Sequence, residues 1–196
     1  MIDYTLLIKY FAQFILLFTN LKIVGLILLW VYFFVDKKTA TDTLYLATLS
    51  LLVNFSLKIF FKAPLLAGVH SASGFAFPSG HTQTAVVLYG YLWIYHRKLF
   101  LPFILILPLI GWAMVHMGYH TYFDVMGGFI AAFILLFAYT KFIATRVWLK
   151  FVLPIVLLGW IYYAHHLIPF VYYVCAINCS INLTQWYLAR AALKAN

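Results

Sequence analysis

Three short stretches hold nearly all the side chains in this sequence that could take part in making or breaking bonds. The first is Pro78-Ser79-Gly80-His81, at the head of a long apolar run. Proline suits helix entry, serine suits an N-cap, and glycine lets another group approach the backbone closely. The free N–H groups of a helix start, together with the positive end of its dipole, attract an anion. His81 falls in the first turn of that helix. A plain capped helix start would need the same residues, so the stretch alone leaves both readings open.

The second stretch spaces His116, His120 and Asp124 at i, i+4 and i+8. A carboxylate four residues from an imidazole can hold one ring nitrogen protonated and leave the other free to attack an electrophile. Asp124 is costly at the head of an apolar helix unless it has a partner. A packed His–Asp pair without chemistry is one alternative, and a metal site of His116, His120 and Asp124 is another. The third stretch puts Lys58 and Lys62 one helical turn apart at the end of an apolar run. They either snorkel to the membrane interface or clamp a phosphate.

The elements that must position these residues follow from composition. Of 196 residues, 66% are hydrophobic and 9% charged, and the mean hydropathy is +1.00. A soluble domain carries about 25% charged residues. The chain therefore reads as an all-α integral membrane bundle, one membrane domain over residues 1–196 with no linker to divide it. Apolar runs at 21–35, 44–61, 81–95, 99–117, 122–142 and 148–167 predict about six transmembrane helices. Residues 1–20, which carry Lys9 and Gln13, form a short span or an interfacial helix. The aromatic tail at 169–188 is a partial span or an interfacial segment. The first run lacks a basic n-region and a small-residue cleavage site, so no cleavable signal is expected.

If consecutive runs alternate in direction, Lys37, Lys38, Arg97, Lys98, Lys141, Arg146 and Lys150 share one side, which the positive-inside rule makes cytoplasmic. The 62–80 loop and the 116–124 junction then share the extracytoplasmic side. The formal charge of +9 fits that topology and anionic lipid head groups better than a nucleic-acid partner. The acidic inventory is narrower still: Asp3, Asp36, Asp42 and Asp124, with no glutamate. That counts against two-metal phosphatases and paired-carboxylate glycosidases, and neither a metal nor a cofactor is expected. Cys175 and Cys179 lie one turn apart, a spacing that allows a disulfide without implying one.

Taken together, the three stretches resemble the type 2 phosphatidic acid phosphatase family, membrane lipid phosphatases of a superfamily shared with vanadium haloperoxidases. The family's mark is three ordered motifs: Lys, six residues, Arg-Pro; then Pro-Ser-Gly-His; then Ser-Arg, five residues, His, three residues, Asp. The second is complete as Pro78-Ser79-Gly80-His81. The first keeps Lys58, with Leu65-Leu66 in place of Arg-Pro, and the third keeps His120 and Asp124, with Ala113-Met114 in place of Ser-Arg. The resemblance covers about 44–143, flanked by the N-terminal segment and by extra helices at about 148–190.

The resemblance implies metal-independent hydrolysis of a phosphate on a lipid, through a phosphohistidine on His120. Asp124 would orient His120, and His81 would act as general acid. Lys58, the Ser79 hydroxyl and the Gly80 N–H would hold the phosphate oxygens. It also implies a bacterial inner (cytoplasmic) membrane, with the site facing the periplasm or exterior. The substrate would be of the polyprenyl diphosphate, lipid A, phosphatidylglycerol phosphate or phosphatidic acid type. Both phosphate-binding arginines are absent, and each would have supplied a planar, permanently charged fork. Lys62, His70 and His116 are the available substitutes. Two classes stay open: an active lipid phosphatase with a rebuilt pocket, and a weakened relative that binds a lipid phosphate or a protein partner. A serine hydrolase using Ser79 with His120 lacks the Gly-x-Ser-x-Gly elbow.

Overall fold

The computed structural model describes residues 4–71, 73–165 and 169–195. Asp3 and the end of the run expected at 148–167 lie outside the described residues. Among those described, every regular element is a helix. In chain order they are α1 (Tyr4–Leu16), prolonged by a 3-10 turn, α2 (Leu21–Phe34), α3 (Lys37–Phe61), α4 (Gly80–Tyr95), α5 (Arg97–His116), α6 (Tyr122–Ala138), prolonged by a π turn at Tyr139–Ile143, α7 (Val147–His165) and α8 (Pro169–Ala195).

Local chemistry sets the starts. The Asn20 side chain accepts from the Lys22 N–H and begins α2. Asp36 accepts from the N–H groups of Lys38 and Thr39 and begins α3. Each satisfies donors that a helix start leaves unpaired. Four helices are long and apolar enough to cross a membrane: α3, α5, α6 with its π turn, and α7. The count reaches five if α1 and α2, bent by 49° at their junction, make one span. About six were expected, and the difference lies partly in α4.

At 16 residues α4 is about 24 Å long, short of a hydrocarbon core of about 30 Å. It is the central helix, packed against α3, α5 and α6, and buried without interruption from Ala85 to Leu92. A helix enclosed on all sides shows no amphipathic stripe, which is why its sequence reads as uniformly apolar. Its first residue, Gly80, faces Asn54 of α3. Phe61, the last residue of α3, lies seven positions beyond Asn54. The α4 start is therefore recessed by about 10 Å from the α3 end, and the 62–79 segment descends to it.

The opposite end of α3 is fastened by polar contacts. Asp42, buried, lies 3.1 Å from Lys38 and 3.2 Å from Lys150. From α8, Gln185 donates to Asp42 and to the Thr41 hydroxyl, Asn178 to the Tyr45 carbonyl and Thr48 hydroxyl, and Asn182 to the Lys150 carbonyl. The Lys150 ammonium also lies over the rings of Tyr45 and Tyr139, about 5.5 Å from each centroid. Interhelical polar contacts of this kind are the usual glue between helices when the surroundings are as apolar as the interface. Lys150→Met should leave buried Asp42 with Lys38 as its one cation beside the Gln185 amide and cost about 3 kcal/mol or more, whereas Asp42→Asn added to it should recover much of the loss. Thermal unfolding of both variants in detergent checks this.

Candidate functional site

The site is assembled from three segments, none of which is complete alone. Lys58 comes from the last turn of α3 and is 6% exposed. Its ammonium donates to the carbonyls of Phe75 at 2.7 Å and Ala76 at 2.9 Å. The Ala76 N–H in turn donates to the Ala63 carbonyl, closing the base of the loop. Lys58 thus spends two of its three N–H bonds on the segment that leads into Pro78-Ser79-Gly80-His81. Lys62 lies just past the end of α3, in the left-handed conformation with φ +50. It is exposed, and its N–H still donates to the Lys58 carbonyl at 2.9 Å.

Ser79 stands at the N-cap position of α4, but its hydroxyl makes no capping bond. It lies 3.1 Å from the Thr82 hydroxyl instead and is fully buried. Among the described residues, the N–H groups at the α4 start have no side-chain cap, and the first backbone bond of the turn is Gln83 N–H to the Ser79 carbonyl. Gly80 and His81 thus present uncapped N–H groups, and the His81 ring is exposed at the mouth. Below them, Asn54 donates to the Pro78 carbonyl at 3.2 Å and to the Gln83 side chain at 2.9 Å. Gln83 donates onward to Ser50. A Cβ on Gly80 would lie 2.9 Å from the Asn54 amide oxygen, so glycine is what allows this support.

Sequence reasoning missed Asn54, Gln83 and Ser50. The available signal was the i, i+4, i+8 row of Ser50, Asn54 and Lys58 in an otherwise apolar helix, which puts three polar groups on one face.

The third segment joins α5 to α6. The chain turns at Gly118, with φ +74, and the N–H groups of Tyr119 and His120 both point at the Met114 carbonyl. Thr121 and Asp124 form a capping box. The Thr121 hydroxyl accepts from the Asp124 N–H at 3.1 Å, and Asp124 Oδ2 accepts from the Thr121 N–H at 2.8 Å and its hydroxyl at 2.9 Å. The same Oδ2 lies 3.5 Å from His120 Nδ1. That separation is electrostatic contact, not a formed hydrogen bond, and Nδ1 is buried without a bonding partner among the described residues. Catalytic contacts in ligand-free sites are often this long and tighten on binding.

Two contacts bring the second and third segments together. The Ser79 N–H donates to the Asp124 carbonyl at 2.9 Å. Gly128, one turn further along α6, packs so closely that a Cβ there would lie 2.7 Å from the Ser79 carbonyl oxygen. Burial, with the nearby Lys58 charge, pushes His120 down to about 4 against the opposing pull of Asp124. His120 is therefore neutral near pH 7, the state in which an imidazole can attack.

Other candidates lie apart from this mouth. His116 stacks on Trp112 at 5.0 Å, and His70 is exposed on the loop. Met114, at one missing arginine position, is buried in the core, and Leu65, at the other, is half-buried. Among the described residues, no group of three His, Cys, Asp or Glu side chains is placed to hold a metal ion.

In the ligand-free protein the His120 imidazole should titrate near pH 4. Because the Lys58 cation disfavours the imidazolium, Lys58→Met should raise that value. Imidazole nitrogen shifts followed against pH by NMR check both.

Searches of curated proteins and of solved structures return no significant match. The PAP2 superfamily matches residues 39–148, more than half of the chain. That match takes in α3 to α6 and with them Lys58, the Pro78–His81 segment, His120 and Asp124. The chain belongs to the PAP2 superfamily.

Proposed function

We propose that the protein is a membrane-embedded phosphatase that removes a phosphate from a lipid at the extracytoplasmic face, through a phosphohistidine on His120. Superfamily membership supports a phosphatase-type activity. The observation that carries the finer reading is the Ser79–Asp124 backbone bond, which holds an uncapped helix start against a neutral, carboxylate-flanked histidine.

With Nδ1 turned to Asp124, Nε2 is the nitrogen free to attack. Its lone pair forms the N–P bond as the bond from phosphorus to the lipid oxygen breaks, and His81, which takes up a proton when the phosphate anion binds beside it, gives that proton to the leaving oxygen. The positive charge on the His120 ring is balanced by Asp124. Water then attacks phosphorus, giving its proton to His81 and breaking the N–P bond. The N–H groups of Gly80 and His81, the α4 dipole and the remaining N–H of Lys58 receive the non-bridging oxygens. The buried Ser79 hydroxyl contributes by fixing the turn, unless the turn opens around the phosphate.

The test is phosphate release from a panel of polyprenyl diphosphate, lipid A, phosphatidylglycerol phosphate and phosphatidic acid. His120→Ala should abolish release, and His81→Ala should lower it about 10²–10⁴-fold. Release should survive a chelator, because the chain lacks the carboxylates for a metal cluster. Loss on chelation with rescue by one divalent cation, or full activity in His120→Ala, would overturn the mechanism.

A second reading is a weakened relative that binds lipid phosphate without efficient turnover. It is favoured by the missing arginines and by the two Lys58 N–H bonds already committed to loop carbonyls. Lys62 separates the two. As an exposed point charge at the end of α3, it would neutralise phosphate without fixing its orientation. In the enzyme reading Lys62→Ala lowers turnover about ten-fold or more. Steady-state kinetics with unchanged turnover and apparent affinity would mean that Lys62 only snorkels.

A further inference from the structure

Beside the mouth stands a row of phenylalanines that the phosphate chemistry does not use. Phe77 lies over Gly127, where an added Cβ would sit 2.2 Å from its ring. Its ring meets Phe61 edge-on and stacks on Phe123, each at 4.9 Å between centroids. The three come from three different motif segments. Phe61 ends the helix that carries Lys58, Phe77 leads into Pro78-Ser79-Gly80-His81, and Phe123 precedes Asp124. Phe77 and Ser79 are two residues apart, a chain length of at most about 7 Å. The row is therefore within a head group's width of the phosphate cradle.

Its exposure is unusual for the place. Phe61 is 51% and Phe123 71% exposed, despite their ring contacts. Both sit at ends of long apolar helices, where the aromatic residues of a membrane protein are usually Trp and Tyr, whose polar tips suit the interface. Phenylalanine has no such tip, so a contiguous row of it beside a polar mouth calls for an apolar cover. From Phe123 the exposed face continues along α6 through Met126, Ile130, Phe133 and Phe137 at helical spacing. The row thus joins the cradle at one end to the lipid-facing side of the bundle at the other.

We infer that Phe61, Phe77 and Phe123 seat the first carbons of the substrate's hydrocarbon chain, making the protein selective for long-chain phosphate esters over soluble ones. The inference rests on the phosphatase reading and adds a specificity element to it. A lipid tail is the occupant because it alone must touch both the cradle and the outer face of α6. Contacts to a remote, unreacting part of a substrate can be used in the transition state, so their loss would fall on kcat as well as KM.

The test compares kcat/KM for dodecyl phosphate with that for ethyl phosphate, in detergent micelles, for the wild type and for F61A/F123A. Both rings are at least half exposed, and thermal unfolding verifies that the variant keeps its fold. The long-to-short ratio should fall about ten-fold or more, the scale of uncovering an apolar side chain. Phe123→Leu, which keeps an apolar cover, should retain most of it. An unchanged ratio in F61A/F123A overturns the inference. Calorimetric binding of dodecylphosphonate and ethylphosphonate, which cannot be cleaved, runs in parallel. If the wild type cleaves neither ester nor any lipid of the panel, the phosphatase reading fails, and the phosphonates still judge the row. A long-chain preference lost in F61A/F123A supports it, and no preference in the wild type overturns it.

Discussion

The hydrogen bond from the Ser79 N–H to the Asp124 carbonyl is the contact on which the rest of the site depends. The two residues are far apart in the chain and come from helices that could pack in many ways. The bond forms because Gly128 lets the backbones of α4 and α6 approach to a distance that a methyl group would block. Once they are that close, the start of α4 and the His120–Asp124 turn share one mouth. The donor is also consumed in a useful way. The Ser79 N–H is taken by the Asp124 carbonyl, and the N–H groups that follow it stay without a side-chain cap.

A second constraint is the supply of charge. The chain has few carboxylates, and Asp42 and Asp124, the two that are buried among the described residues, lie near the starts of α3 and α6 with different duties. Asp42 is satisfied by two lysines and a glutamine and ties α8 and α7 to α3. Asp124 closes the α6 capping box, which leaves only a longer contact for His120. Around the mouth the balance is cationic, with Lys58 buried and Lys62 exposed at the end of α3. Burial, with the Lys58 charge, holds His120 neutral, and the cationic balance suits a phosphate. Without the fork of an arginine, orientation must come from backbone N–H groups, whose directions the α4 geometry fixes.

The parts of this arrangement legible in the sequence were those carried by spacing within one segment. The helical class followed from hydropathy. Lys58, the Pro78–His81 stretch and the His120–Asp124 pair were legible because each motif is local. What depends on contact between segments was not legible. The Ser79 hydroxyl turns to Thr82 because the α6 backbone crowds the N-cap. Lys58 reaches the Phe75 and Ala76 carbonyls because a recessed α4 start brings the loop down past it. Asn178, Asn182 and Gln185 lie in what reads as an aromatic tail, yet at helical spacing Asn178 and Gln185 bond to α3 and Asn182 to α7. The short α4, counted as a span, falls below the length of the four long apolar helices, and its enclosure gives the uniform hydropathy on which that count rested.

The central claim is that the α4 start and the His120–Asp124 turn form one phosphoryl-transfer site. Its most direct measurement is to mix the protein with a lipid substrate labelled in the scissile phosphate, quench with base within a turnover, and locate the label. The account predicts a protein-bound phosphate that resists base, is released by acid, maps to His120 and is absent from His120→Ala. Label on another residue, or brisk turnover with no protein-bound phosphate, would contradict it.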